Sequence, residues 1–343
     1  MEDSVLVHAP NWLGDSVMCM PALQAFKREY PDYRLSLLAR RELAPLWQMH
    51  AAVDEIIELA PGTRGTIDAA RRVSRRGFPA VFVFPNSFRS AMIPCLARVP
   101  VRIGYKGHAR RWMLTQVVEL PEPLRCKHQA WEYLYELGLA ADTPELETPR
   151  LAVSDTMMTQ CRERLSAVAS AAGWVGLIPG AAHGGSKRWP PGHFSDVGRR
   201  LIRALKCRIL VFGTTGEARL CSQVAGAIGS GALNLAGVTS LREFAGLLRL
   251  CRAVVANDSG GMHLAAAAGA PVVAVFGLTD PAKTGPLGSG HRVIAPAAGA
   301  GSRDIKPSSP AAERLLWDIN PESVAAAALE VIEGRAAAGR MTP

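Results

Sequence analysis

The stretch Val254–Gly277 reads VVANDSGGMHLAAAAGAPVVAVFG. An apolar run leads into Asp258-Ser259-Gly260-Gly261, then a small-residue helix from Met262 to Ala268, then a second apolar run. Neither Val/Ala-rich run alternates with polar residues, which is the pattern of strands buried on both faces. A helix between two such strands makes a crossover, and crossovers join parallel strands. This segment therefore reads as one unit of an α/β parallel sheet.

The same alternation extends in both directions. Upstream lie WVGLIPG from Trp174, a helix from Phe194 to Leu205, CRILVFGT from Cys207, a helix from Glu217 to Ile228, ALNLAG from Ala232, and a helix from Leu241 to Leu250. An earlier series begins with SVLVHAP from Ser4, a helix from Asp15 to Tyr30 and RLSLLA from Arg34. It continues with an Arg-rich helix from Ile67 to Arg76 and AVFVFPN from Ala80. Two series of similar length predict two doubly wound domains. The break is expected between Ala140 and Gly173, where AADTPELETPR is rich in Pro and acid, with a helix from Ser154 to Ala171 leading into the second domain. This places the domains at 1–160 and 161–320, with a helical tail, 321–343, available to pack back on the first. The Gly/Ala/Ser/Pro-rich segment Ala295 to Pro310 reads as a loop.

At 343 residues, 48% of them hydrophobic, the chain can bury two sizeable cores. MEDSVLVHAP lacks the basic and long apolar regions of a signal peptide, and no apolar run suits a membrane span. Seven scattered cysteines without a C-x-x-C pair favour reduced thiols and a cytoplasmic setting. The net charge of +9 is concentrated: between Pro61 and Arg111 stand eleven Lys or Arg and one acid, Asp68. Such a stretch attracts phosphates on nucleic acid, anionic lipid or a phosphorylated sugar, or is simply a solvated basic face. Aromatics are not interleaved as a single-strand nucleic-acid platform requires.

In open parallel sheets, ligands gather beyond the carboxyl ends of the strands. Four strand-to-helix turns stand out. In APNWLGDSVM, Asp15 starts a helix, as a cap or as a carboxylate able to take a proton from a hydroxyl. In IPGAAHGGSKRWPPGHF, a glycine-rich loop precedes a helix, offering backbone N–H groups and Lys187 to a phosphate; the P-loop pattern is absent. In VFGTTGEARL, Glu217 is either a first-turn acid or a partner for a ribose diol. In the opening stretch, Gly260 and Gly261 admit a diphosphate or sugar, Asp258 caps the helix or binds a sugar hydroxyl, and His263 is a structural histidine or a ligand contact. No second His or Cys stands at metal-ligand spacing, so no metal is expected.

Together GDSVM…PAL, PGAAHGGSKRWP and NDSGGMHLAAAAGAPVVAVFG resemble the ADP-heptose:lipopolysaccharide heptosyltransferases of glycosyltransferase family 9. The segment Phe84–Thr115 looks more like heptosyltransferase II than I. The resemblance spans nearly the whole chain. It implies a GT-B fold, two Rossmann-like domains facing across a cleft, an acceptor-binding first domain and a donor-binding second. The reaction implied is inverting transfer of L-glycero-D-manno-heptose from ADP-L-glycero-D-manno-heptose to the inner-core heptose of lipopolysaccharide. Asp15 would match the general base and Lys187 the lysine that offsets charge on the departing diphosphate. Gly180, His183, Gly184, Glu217, Asp258, Ser259, Gly260, Gly261 and His263 would meet the donor. Asn11, Asn86, Arg89, Arg102, Lys106 and Arg110, with Arg98 and Arg111, are the acceptor-side candidates.

The resemblance further implies no cofactor beyond the donor and a phosphorylated heptosyl-Kdo2-lipid A acceptor. It also implies no nucleic-acid partner, and a monomer at the cytoplasmic face of the inner membrane. Alternatives are a heptosyltransferase I type acting on Kdo2-lipid A, or another GT-B enzyme such as a nucleotide-sugar epimerase. An NAD-dependent dehydrogenase is disfavoured, since no G-x-G-x-x-G follows the first strand. A basic nucleic-acid-binding protein lacks a reading helix or RNP-type aromatics.

Overall fold

A computed structural model describes residues 4–141, 145–166, 170–182, 185–296 and 309–341. They group into two compact units, parted between Ala152 and Val153. The parting lies ahead of residue 160 because the helix Asp155–Ser166 packs on the helix Leu241–Leu250 of the second unit. Buried Cys161 sits against Glu243 there.

The first unit holds β1 (Ser4–His8), β2 (Arg34–Arg40), β3 (Glu55–Leu59), β4 (Ala80–Val83), β5 (Val101–Tyr105) and β6 (Gln116–Val118). All pairings are parallel, in the order β3-β2-β1-β4-β5-β6. The second unit holds β7 (Trp174–Ile178), β8 (Arg208–Val211), β9 (Ala232–Asn234), β10 (Cys251–Asn257), β11 (Val272–Val275) and β12 (Arg292–Ile294). Its order, β12-β11-β10-β7-β8-β9, is the same scheme begun at β7. From the first strand of each sheet the chain winds outward one way, then returns and winds the other way. Right-handed crossovers then put the two sets of helices on opposite faces. The central strands are covered on both sides, which is why they read as unbroken apolar runs: all of β11 and all but Arg252 of β10 are buried.

The four strands that the sequence reading passes over, β3, β5, β6 and β12, lie at or next to the sheet edges and are partly exposed. The helix expected from Asp15 to Tyr30 is two, Leu13–Met18 and Met20–Glu29. Pro21 has no N–H to return to Val17, and its ring crowds that carbonyl, so the axis breaks at Cys19. The helix Pro321–Met341 packs on the second unit. Val324, Ala328, Val331 and Ile332 join the core of Val175, Leu177, Phe194, Val255 and Val275. The stretch expected as a loop, Ala295 to Pro310, lies mostly outside the described residues, as does the end of the helix expected from Ser154 to Ala171.

Candidate active site

In the second unit the turning point of the winding lies between β7 and β10. Adjacent crossovers leave there on opposite faces and open a crevice at the carboxyl ends. Lys187, from the turn Gly185–Lys187 after β7, reaches Asp258, the residue after β10: Nζ lies 2.6 Å from Oδ2. Thr279, beyond β11, donates its hydroxyl to the same oxygen at 2.6 Å. Asp258 is buried while Lys187 is part-exposed, so a solvent-reached ammonium rests on a buried counter-charge. Asp258 is thus committed to an ion pair rather than to a helix cap.

The loop carrying Lys187 is held at several points. Buried Asn257 accepts from the Trp189 amide at 3.0 Å and donates to the Pro179 carbonyl at 2.8 Å, tying both ends of the loop to β10. Arg188 donates twice to the Ala181 carbonyl. Trp189 is buried and donates its indole N–H to the Ile319 carbonyl at 3.2 Å. It is a packing residue, as its apolar ring favours. His183 and Gly184 lie outside the described residues.

Ser259 is the N-cap of the helix Gly260–Ala267 by backbone angle, yet makes no side-chain cap bond. Its Oγ is buried without a partner among the described residues, which leaves hydrogen-bonding capacity beside Asp258. Gly260 opens the helix. The bare face of Gly261 packs closely on the side chain of Ile178, where a Cβ would come within 3.1 Å and Ile178 would have to shift by a few tenths of an ångström. His263 is buried in the same helix. Glu217 closes a capping box: its Oε2 accepts from the Thr214 amide at 2.8 Å and hydroxyl at 2.9 Å. The rest of that carboxylate lies against Gly180, where any Cβ would collide with it. Gly180 and Glu217 therefore abut at the ends of β7 and β8.

In the first unit the turning point lies between β1 and β4. A cavity of about 320 Å³ opens there, lined by His8, Asn11, Trp12, Arg40, Leu59, Ala60, Pro61, Ser87, Arg89, Ser90 and Ile93. Arg40 ends β2. Arg89 is fixed by bonds to the Thr66 hydroxyl at 2.7 Å and the Gly62 carbonyl at 2.6 Å. Two guanidinium groups on one small cavity suit a phosphate or carboxylate. His8 is buried, with Nδ1 3.1 Å from the Ser90 carbonyl. A carbonyl only accepts, so the ring proton sits on Nδ1 and Nε2 is an acceptor. Burial, aided by Arg110 and Arg89, lowers the His8 pKa to about 4 and keeps the ring neutral.

Asp15 is the third residue of the helix Leu13–Met18, whose N-cap is Trp12, so it is not the cap. It is half-buried and accepts from the Gln129 amide at 3.4 Å, and Gln129 also donates to the Tyr133 hydroxyl at 3.1 Å. It is not among the residues lining the cavity, but stands one helical turn beyond Asn11 and Trp12, which are.

The acceptor-side candidates separate. Asn11 and Arg89 line the cavity. Lys106 is exposed directly after β5, and Asn86 after β4 accepts from Arg110 at 3.0 Å. Arg102 sits at the amino end of β5, away from the site, where it donates to the Met113 and Val99 carbonyls. Arg110 is fully buried and donates to the carbonyls of Pro85, Val83 and Tyr105, so it is a strut between loops rather than an acceptor contact. Arg98 and Arg111 are exposed. The reading from sequence missed Arg40, His8, Asn257 and Thr279. All four lie at or just beyond the carboxyl end of a strand, which is the signal that would have found them.

Among the described residues no cluster of three His, Cys, Asp or Glu side chains could hold a metal ion. No described helix is long and apolar enough to cross a membrane.

The family model for glycosyltransferase family 9 (heptosyltransferase) matches residues 67–306. The lipopolysaccharide heptosyltransferase 2 of Salmonella typhimurium is 30% identical over 337 residues, covering 93% of this chain and 96% of its own. That of Escherichia coli K12 is 29% identical over 342 residues, with the same coverage. The solved structure of E. coli ADP-heptose lps heptosyltransferase II superposes with a TM-score of 0.84 at 27% identity, covering 97% of this chain and 99% of its own.

Proposed function

This chain belongs to glycosyltransferase family 9, and we propose that it transfers L-glycero-D-manno-heptose from ADP-heptose to an inner-core heptose of lipopolysaccharide. The observation that carries this reading is the lysine-bearing loop at the turning point of the second sheet, in a chain similar to heptosyltransferases 2 over nearly all its length. The proposed acceptor is a phosphorylated heptosyl-Kdo2-lipid A at the cytoplasmic face of a membrane.

In this reading the second unit takes the donor. Lys187 and the backbone N–H groups of its loop meet the diphosphate, the Ser259 hydroxyl and Gly260 lie beside it, and the Glu217 carboxylate meets the ribose. The first unit takes the acceptor, with Arg40 and Arg89 on its anionic groups. Asp15 accepts the proton of the attacking hydroxyl. The new C–O bond forms at the anomeric carbon as the bond to the ADP oxygen breaks, with inversion. Negative charge grows on the leaving diphosphate, so a positive group fixed there stabilises the transition state more than the ground state. No metal is assigned to the reaction.

The test is ADP release from ADP-heptose with and without heptosyl-Kdo2-lipid A, for wild type and Asp15→Ala. Acceptor-dependent release that falls about a hundredfold or more in the variant supports a general base. An unchanged rate removes Asp15 from the chemistry. Activity with Kdo2-lipid A alone reassigns the acceptor, and ADP release without any acceptor points to epimerase-type chemistry.

A further inference from the structure

The helix Gly62–Arg76 and the helix Phe88–Leu96 lie side by side on one face of the first sheet. Arginines on the first of these sort into two sets. Arg72 and Arg76 turn to acids: Arg72 lies 3.1 Å from Asp68, the only acid on this helix, and Arg76 2.7 Å from Glu55. Arg64, Arg71 and Arg75 are exposed and form no ion pair among the described residues. They share a stripe of the helix, at intervals of seven and four residues.

Between Arg71 and Arg75 and the neighbouring helix runs a groove of about 440 Å³, lined also by Ile67, Ala70, Ser74 and Leu96. Ile67 is 42% exposed and Leu96 56%. At the other end of the second helix, Phe88 (44% exposed) contacts Trp112 (71% exposed), with ring centroids 6.3 Å apart. Nine large apolar side chains are exposed among the described residues, and these four are among them. Scattered exposed apolar residues need no explanation, but a cluster flanked by unpaired arginines does.

We propose that this helical face docks on an anionic lipid bilayer. The chemistry is complementary. Aliphatic and aromatic side chains enter the boundary between headgroups and acyl chains, and unpaired guanidinium groups meet lipid phosphates. The proposal deepens the preceding reading, whose acceptor is lipid-anchored, by naming the face that meets the lipid. None of the four residues altered below belongs to the site.

The experiment is flotation of the full chain, without sugar nucleotide, on vesicles of phosphatidylglycerol mixed with phosphatidylcholine, against phosphatidylcholine alone. Binding is expected on the mixed vesicles only, weakening as salt rises. Arg71→Gln with Arg75→Gln should weaken it about twenty-five-fold, from about fivefold for each basic residue. Ile67→Ser with Leu96→Ser should also weaken it, and both pairs are exposed enough to leave the thermal midpoint in place. Equal binding to both vesicles, no binding, or binding unchanged in the arginine pair overturns the proposal. So does a dimer that Ile67→Ser with Leu96→Ser dissociates while vesicles are ignored, which would make this face an interface between copies. Since no donor or acceptor sugar is present, a failure of heptosyl transfer leaves this result standing, and a failure of docking leaves the transfer assay standing.

Discussion

Lys187 Nζ and Asp258 Oδ2 lie 2.6 Å apart across the point where the second sheet reverses its winding. One residue follows β7 and the other follows β10, so two turns 71 residues apart in the chain form one ion pair. The pair has a structural role, which holds the loop, and a proposed chemical one, which offsets charge on a leaving diphosphate.

The two roles separate by mutation. Lys187→Ala should lower turnover about a hundredfold or more. It should also cost roughly 1–3 kcal/mol of stability, less than a fully buried pair, because the ammonium is part-exposed while Asp258 is left buried with only Thr279. Lys187→Met combined with Asp258→Asn should restore the thermal midpoint but not the turnover. A Lys187→Ala enzyme with wild-type turnover would leave the lysine as a loop strut alone.

Arg40 and Arg89 should act on the acceptor side. Arg40→Gln and Arg89→Gln should each raise acceptor KM about tenfold, the loss of one charge-assisted contact in a solvent-reached cavity, while donor KM stays unchanged. Steady-state kinetics at low salt checks this. Arg102→Gln should leave acceptor KM unchanged, since that guanidinium is at the amino end of β5.

Glu136 is buried, and neither carboxyl oxygen makes a well-formed hydrogen bond among the described residues. Burial pushes its pKa up to about 8 from an ordinary 4.5, against the pull of Arg110 and of the Val83 backbone N–H that faces it. The folded state therefore holds a proton that the unfolded state releases, and stability falls as pH rises from about 4.5 to 8. Glu136→Gln should remove that fall. The gap between variant and wild-type thermal midpoints should widen across this window and level off above it.

His50 sets the opposite slope. Both ring nitrogens are buried without partners among the described residues, and the ring lies 5.9 Å from Trp47, edge to face. Burial lowers its pKa to about 4 from 6.5, so stability is full above 6.5 and is lost as pH falls toward 4. His50→Phe keeps the ring contact and removes both polar atoms. It should raise the thermal midpoint by about 2–4 °C and flatten the acid limb.

The central strands and the four turns were legible because burial on both faces leaves an apolar run, and the turn that follows must carry small or polar residues. Three of the four edge strands, β3, β6 and β12, were not: QVV and RVI are three residues long and half-wet, and EIIEL is broken by acids. The edge strand β9 was read because its apolar run continues past Asn234 into LAG. Asp15 and Lys187 could be found at their turns. Nothing local distinguishes Arg110 from Arg89, yet one is a buried strut and the other lines a cavity. That difference depends on which carbonyls the folded loops present, which is a tertiary fact. The Lys187–Asp258 pairing is of the same kind, since two strands must be neighbours in space before the two turns meet.

The core of the second unit includes Val331 and Ile332, whereas the sheet of the first is finished at Val118. A ribosome delivers these pieces at different times. At about 5–20 residues per second, the second core lacks its last wall for roughly ten to forty seconds after the first unit has been made. The loop of Lys187 waits with it, because Trp189 is anchored to the carbonyl of Ile319. During synthesis the chain is therefore half a folded protein and half an open apolar sheet, and a stop shortly before residue 320 would leave that sheet open.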